Sequence, residues 1–145
     1  MKDSPIIPDC SILAKAITQE TQSDQARSLI ATASRLWAPD LILIELGNVL
    51  WKKVQRGVMT EQEALEAQRS VASLSPIRIL PSTPYHFRAL EIALVCGTSF
   101  YDSLYLALAE QENGLLVTAD ERLVRRLETT AWKPYVHWIG AGVPT

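Results

Sequence analysis

The sequence has few cysteines and histidines, and this shortage narrows the kinds of site it can build. Only two of its 145 residues are cysteines, Cys10 and Cys96. Both stand among apolar neighbours without the spacing of metal ligands, so reduced thiols suit the chain better than a disulfide framework. The only histidines are His86 and His137, which we interpret as structural residues of a helix surface and a strand.

Long apolar runs are also absent. No segment approaches the roughly 18 consecutive apolar residues that a membrane helix needs. Residues 1–8 lack the basic stretch and apolar run of a signal peptide. We therefore expect a soluble, cytoplasmic protein without membrane contact. No repeat or low-complexity linker divides the chain, and we expect residues 1–145 to form a single domain.

Neither sign of charge dominates the chain. Lys and Arg number 14 against 16 Asp and Glu, which gives a net charge of −2. This balance argues against a protein that coats nucleic acid by bulk electrostatics. It permits a local cluster of carboxylates, because cations bound among them would reverse the local sign of the field.

Short apolar segments alternate with amphipathic ones along the chain. Strands are predicted at residues 6–7, 36–38, 77–80 and 115–117, with an edge strand at 135–139. Helices are predicted from Ser11, at 23–34 and 40–56, from Thr60 to about Leu74, and at 82–96, 100–113 and 121–128, with Gly97 and Gly114 after two of them. This alternation indicates an α/β protein whose parallel sheet carries helices on both faces.

Glu45 is the most informative residue, because it interrupts the apolar stretch 41–46. An ionised carboxylate buried without compensation is too costly to be tolerated. A cation, a basic partner or a raised pKa must therefore accompany it. A buried ion pair or a position at the edge of the core explains a single residue of this kind equally well.

Three aspartates occupy comparable positions. Asp9 and Asp120 follow predicted strands, and Asp102 stands in the first turn of an apolar helix. Each one alone is explained by helix capping or by the helix dipole. Capping does not explain why four acids converge on the carboxyl edge of one sheet, where functional groups gather in this class of fold.

Crowded carboxylates repel one another unless a cation binds between them. Hard divalent cations prefer oxygen ligands, whereas zinc favours histidine or cysteine. The pattern therefore predicts a Mg²⁺ or Mn²⁺ site made by four acids, with one or two ions. Glu121 is a further acid that either joins them or is a solvated residue of a first helical turn. The four acids are Asp9, Glu45, Asp102 and Asp120.

These segments together resemble the PIN-domain family of nucleases, and most closely its VapC-like toxins of bacterial toxin–antitoxin systems. Residues 7–11 are similar to the opening strand with its Asp-x-Ser, and Glu45 followed by Asn48 is similar to the acidic helix. Residues 101–109 are the most specific segment, and residues 116–120 complete the order. Pro8 and Cys10 depart from the usual residues but remove no ligand.

The resemblance implies a PIN-like three-layer α/β/α fold with a short, mainly parallel central sheet. It implies that the four acids hold Mg²⁺ or Mn²⁺ and activate water for endoribonuclease cleavage of an RNA phosphodiester, leaving 5′-phosphate and 3′-hydroxyl ends. It also implies a small antitoxin protein as partner and a homodimer. Ser11 and Thr118 would form hydrogen bonds to the ligands, and Asn48 would orient Glu45. Candidate phosphate contacts are Lys15, Lys52, Lys53 and Arg56, with Arg122, Arg125 and Arg126 as further ones.

Other functions can be compared with the same residues. A PIN nuclease of RNA processing, or a catalytically silent module that binds RNA or a partner, would share these motifs. A phosphatase with Asp9 as its nucleophile would need a second Asp where Ser11 stands. A receiver-like signalling domain would need a Lys after a late strand, but residues 77–80 are followed by Pro81 and Ser82.

Overall fold

The computed structural model describes residues 3–73 and 76–145, in which strands and helices alternate as predicted. The strands are β1 (Ile6–Pro8), β2 (Leu36–Pro39), β3 (Ile77–Leu80), β4 (Leu115–Thr118) and β5 (Val136–Trp138). The helices are α1 (Cys10–Ile17), α2 (Ser23–Thr32), α3 (Leu41–Gln55), α4 (Glu61–Ser73), α5 (His86–Cys96), α6 (Phe100–Gln111) and α7 (Glu121–Leu127). The predicted end of the fourth helix at Leu74 lies outside the described residues.

The five strands form one sheet in the order β3-β2-β1-β4-β5, and all four neighbouring pairs are parallel. Ile7 is paired with Leu116, and Pro8 with Val117. The predicted last strand is confirmed as an edge strand beside β4. The sheet is therefore parallel along its whole width, which agrees with the α/β class derived from the sequence.

Both faces of the sheet are covered by helices. Ile7 and Leu116 point to one face and pack in a core with Leu106 of α6. Val117 belongs to a separate core on the other face, together with Ile12 of α1 and residues of α2. Because side chains alternate along a strand, neighbouring residues serve opposite layers. The predicted three-layer α/β/α arrangement is confirmed.

Two glycines that follow predicted helices have different roles. Gly97 ends α5 in the left-handed region, at φ 68°, as a glycine after a helix commonly does. After α6 the left-handed residue is instead Asn113, at φ 50°. Gly114 is needed for space, since a Cβ there would lie 2.7 Å from the carbonyl oxygen of Pro5. Close packing therefore requires a glycine at position 114, whereas the left-handed residue that ends this helix is Asn113.

The sheet order creates a crevice at its carboxyl edge. From β1 the chain adds β2 and β3 on one side, then crosses to add β4 and β5 on the other. The loops that leave β1 and β4 therefore diverge, and ligands of such sheets bind at this switch point. Asp9 directly follows β1, and Asp120 lies two residues after β4.

Among residues 3–73 and 76–145, no single helix is long and apolar enough to cross a membrane. The pair Thr83–Cys96 and Phe100–Gln111, bent by 113°, meets the length and composition only when taken together.

Candidate metal centre

Asp9 is the most buried of the four acids, with 8% of its surface exposed. Its Oδ1 accepts hydrogen bonds from the backbone N–H of Ser11 (3.0 Å) and Ile12 (3.3 Å), and from the Ser11 hydroxyl. Burial raises the pKa of Asp9 to about 6, and the charge of Asp102 adds to this effect. Hydrogen bonds from Ser11, Thr118 and Ile12 oppose the rise.

Ser11 and Thr118 join the carboxyl ends of β1 and β4. The Ser11 hydroxyl accepts from the N–H of Ala119 at 2.9 Å while donating to Asp9. Thr118 is fully buried, and its hydroxyl accepts from the N–H of Asp120 at 3.0 Å. The structure thus places both predicted supporting residues beside the acids.

Glu45 lies in the second turn of α3 and is half-buried. The Tyr105 hydroxyl donates to its Oε1 at 2.6 Å. Burial raises the pKa of Glu45, the bond from Tyr105 lowers it, and the charge of Asp102 raises it again.

Tyr105, and not Asn48 as predicted, is the hydrogen-bond partner of Glu45. Asn48 is exposed and makes no hydrogen bond to Glu45 within the described part of the chain. The reason is that the Asn48 side chain points away from the core on α3, whereas the buried Tyr105 side chain of α6 extends through the core to Glu45. Tyr105 follows Asp102 by three residues and so shares its helical face. This spacing was the signal in the sequence that could have revealed it.

Asp102 and Asp120 complete the group on the exposed side. Asp102 is half-buried in the first turn of α6, which Ser99 caps through a 3.0 Å bond from the N–H of Asp102. Burial raises the pKa of Asp102, Ser99 lowers it, and Asp120 raises it. Asp120 is exposed and caps α7, with Oδ1 accepting from the N–H of Arg122 (3.0 Å) and Leu123 (3.2 Å).

The four acids are electrostatic neighbours, although they do not form a closed cage. Asp102 raises the pKa of both Asp9 and Glu45, and Asp120 raises that of Asp102. As the side chains stand in residues 3–73 and 76–145, no three His, Cys, Asp or Glu residues are arranged to hold one ion. Like charges spread apart, and hydrogen bonds hold one oxygen each of Asp9, Glu45 and Asp120. A cation would therefore have to draw these carboxylates together.

The donors available suit a hard cation. Cys10 lies near Glu45 and Asp9, but burial and the charges of these acids raise its pKa to about 12, so the thiol stays neutral. His86 is exposed at the start of α5, and His137 in β5 bonds the carbonyl of Gly142 at 2.7 Å. Oxygen atoms of carboxylates remain, and they fit Mg²⁺ or Mn²⁺ better than zinc.

Two other acids near this edge have partners of their own. Asp40 follows β2 and accepts hydrogen bonds from the N–H (3.1 Å) and hydroxyl of Ser82, which follows β3. Glu121 forms an ion pair with Arg125 at 2.6 Å. Both acids therefore have partners outside the four-carboxylate group.

The predicted basic residues are distributed unequally. Lys15 and Lys53 both form ion pairs with Glu20 at 3.3 Å. Lys52 and Arg56 are exposed, and they follow Glu45 by 7 and 11 residues, a spacing that places them on its side of α3. A cleft of about 220 Å³ beside Asp102 and Asp120 contains two of the arginines of α7. Its lining is Thr98, Ser99, Asp102, Asp120, Arg122, Leu123 and Arg126.

Comparison with known proteins agrees with this fold. Residues 6–128 match the sequence model of the PIN domain. The chain therefore belongs to the PIN domain family.

Three similar proteins illustrate the relationship. The chain is 30% identical over 122 residues to "Ribonuclease VapC3" of Pyrobaculum aerophilum, covering 83% of this chain and 93% of that protein. The crystal structure of PAE2754 from the same organism has a TM-score of 0.67 and 27% identity, covering 85% of this chain and 79% of that one. A toxin-antitoxin complex from Klebsiella pneumoniae has a TM-score of 0.61 and 16% identity, covering 91% of this chain and 99% of that one. The last likeness concerns the fold alone.

Proposed function

We propose that this protein is a Mg²⁺- or Mn²⁺-dependent endoribonuclease and the toxin of a VapBC-type toxin–antitoxin pair. The observation that supports it most is the buried Asp9 at the switch point of the sheet. Burial and the charge of Asp102 raise the pKa of both Asp9 and Glu45, and burial and the charge of Asp120 raise that of Asp102. A relative of 30% identity over most of both chains carries the name of a ribonuclease.

Asp9, Glu45 and Asp102 would hold the metal, with Asp120 completing the set directly or through water. A bound divalent ion lowers the pKa of a water molecule and offsets charge on the phosphoryl oxygens. The protein's own contribution is to fix the acids. Ser11 holds Asp9 and Tyr105 holds Glu45, each through one carboxylate oxygen.

The direct test is cleavage of structured RNA by the purified full chain. We expect cleavage with Mg²⁺ or Mn²⁺, loss in EDTA, recovery on adding metal, and products with 5′-phosphate and 3′-hydroxyl ends. Asp9→Ala and Asp102→Ala should abolish cleavage. Equal cleavage by the wild type in EDTA would contradict the metal mechanism.

Two alternatives share the fold. A catalytically silent module would bind RNA without cutting it under any metal condition. A PIN nuclease of RNA processing would cut, but its production in cells would not arrest growth. Growth arrest that requires Asp9 and is relieved by a small co-produced protein would favour the toxin.

We further propose that the chain binds a small antitoxin and forms a homodimer in the cytoplasm, with residues 1–145 as one domain. Helix α5 supports the dimer, because Phe87, Leu90, Leu94 and Val95 are between 48% and 77% exposed. Their spacing forms one apolar stripe. A second copy related by a twofold axis would place the same stripe against itself.

A further inference from the structure

Helix α7 carries three arginines that have different surroundings. Arg122 and Arg126 line the cleft of about 220 Å³ that also contains Asp102 and Asp120. Arg125 is not part of this lining, and its guanidinium pairs with Glu121 at 2.6 Å. The spacing of four residues puts Arg122 and Arg126 on one side of the helix.

The two arginines of the cleft do not neutralise its two acids. In the part of the chain that the structure describes, the Arg122 guanidinium makes no hydrogen bond or ion pair. Arg126 donates one hydrogen bond, to the carbonyl of Gly97, and forms no ion pair with any of residues 3–73 and 76–145. Oδ1 of Asp120 accepts hydrogen bonds from the backbone N–H groups of Arg122 and Leu123. Both guanidinium groups therefore keep free N–H donors beside the proposed metal ligands.

Such a cleft offers two kinds of contact to one ligand. Carboxylates that hold a cation bind one phosphate oxygen through the metal, and free guanidinium groups bind anionic oxygens directly, often with two parallel hydrogen bonds. Pockets for drug-sized molecules begin at about 300 Å³. A cleft of about 220 Å³ is therefore better matched to a phosphodiester group than to a larger molecule.

We propose that Arg122 and Arg126 bind a backbone phosphate of the RNA strand beside the four-carboxylate group, while Arg125 takes no part. This inference rests on the proposed ribonuclease function and gives it a substrate contact. It assigns phosphate binding to two of the three arginines that the sequence pattern offers as equal candidates. Because phosphate contacts set position rather than sequence preference, the two arginines should act on every RNA that the protein binds.

The test is binding of a short, fluorescently labelled single-stranded RNA of mixed sequence, measured over a range of salt concentrations with Mg²⁺ present. An Asp9→Asn background prevents cleavage. Arg122→Gln and Arg126→Gln should each weaken binding by about 10-fold, as for one charge-assisted hydrogen bond. Each should also reduce the steepness of log K against log salt by about 0.7, the value for one lost contact with single-stranded RNA. Arg125→Gln should change neither quantity.

Arg126→Gln also removes the bond to Gly97, so thermal unfolding of each variant is measured alongside. If Arg126→Gln unfolds at a lower temperature than the wild type, Arg122→Gln decides the question, because the Arg122 side chain makes no such bond to the residues that the structure describes. The inference would be overturned if Arg122→Gln and Arg125→Gln changed RNA affinity equally, or if Arg122→Gln did not change it. The ribonuclease function would still hold in that case if the wild type cleaves RNA. A wild type that neither binds nor cleaves RNA would overturn both.

Discussion

The hydroxyl of Tyr105 donates a 2.6 Å hydrogen bond to Oε1 of Glu45 and thereby connects α6 with α3. Asp102 lies one turn before Tyr105 on the same helix. One buried phenol therefore fixes the position of Glu45 relative to Asp102. It also favours the charged form of Glu45, which burial and Asp102 disfavour.

Tyr105→Phe removes this hydroxyl and keeps the ring. We expect the pKa of Glu45 to rise and the affinity for Mn²⁺ to fall by about 10-fold, since groups that orient a metal ligand commonly have effects of 10- to 100-fold. Titration with Mn²⁺ followed by electron paramagnetic resonance measures the affinity without any need for cleavage.

Tyr85→Phe is a matched control, because the Tyr85 hydroxyl also faces a glutamate, Glu112 at 3.4 Å, in another part of the molecule. It should leave Mn²⁺ affinity unchanged. In a Glu45→Gln background, Tyr105→Phe should have little additional effect. If Tyr105→Phe lowered Mn²⁺ affinity by the same factor of about 10 in that background, Tyr105 would not act through Glu45.

The raised pKa of Asp9 predicts an unusual dependence of stability on pH in metal-free protein. With a pKa of about 6 when folded against 3.8 as the ordinary value, the folded protein binds more protons than the unfolded chain in this interval. The free energy of unfolding should therefore fall as the pH rises from about 4 to 6. Asp9→Asn should be more stable than the wild type at pH 8, by about 2 to 3 kcal/mol. Urea unfolding in EDTA at about pH 3 and about pH 8, on either side of the two pKa values, tests this.

The same comparison contains its own control. Only below the ordinary pKa of 3.8, at about pH 3, is Asp9 mostly neutral in both states, so the wild type and Asp9→Asn should approach equal stability there. With saturating Mn²⁺ at pH 8 the order should reverse, because a metal that binds the folded state stabilises it. Lower stability of Asp9→Asn at pH 8 in EDTA would contradict the account.

Protons and metal ions should compete for Asp9. Binding of a cation needs the charged carboxylate, so metal affinity should decline as the pH falls through about 6. The rate of RNA cleavage should therefore show an acidic limb whose midpoint moves to lower pH as Mg²⁺ is increased. A midpoint that is independent of Mg²⁺ between low and saturating concentrations would mean that another group controls the limb.

The dimer proposal predicts a strong effect at the centre of the exposed stripe. Leu94, 77% exposed, lies among Phe87, Leu90 and Val95 on α5. Leu94→Glu should convert a dimer into a monomer in light scattering, since it places a charge in an apolar contact. Leu65→Glu, at the 52% exposed Leu65 of α4, is the control and should leave the dimer intact. A wild-type monomer at high protein concentration would refute the proposal.

The sequence was sufficient to predict the sheet and the approximate order of its helices. Apolar strands such as 115–117 and helix starts such as the one at Thr60 depend on local sequence, and the structure confirms both. Thr60 and Glu63 cap that helix through reciprocal bonds of 2.8 and 3.1 Å. Glu45 was found because it interrupts an apolar stretch, and the three aspartates because they share a predicted edge of the sheet with it. In the structure Asp102 is within electrostatic range of Asp9 and Glu45, and Asp120 is within range of Asp102, while the shared metal site stays a prediction.

Contacts between distant segments could not be predicted in the same way. The partner of Glu45 depends on how α6 packs against α3, and local spacing favoured Asn48 over Tyr105. The three arginines of α7 have equal local sequence signals, and only the fold shows that Arg125 pairs with Glu121 while Arg122 and Arg126 line the cleft. Side-chain direction and tertiary packing decide such cases.

The central claim is that the four acids form one divalent-metal site, and Mn²⁺ titration of the full chain tests it most directly. Wild-type protein and Asp24→Asn, a change at an exposed aspartate of α2, should bind Mn²⁺ alike. Asp102→Asn should weaken binding at least about 10-fold, because Asp102 is the acid whose charge is felt by both Asp9 and Glu45. Equal binding by Asp102→Asn and the wild type, or no binding by the wild type, would contradict the account.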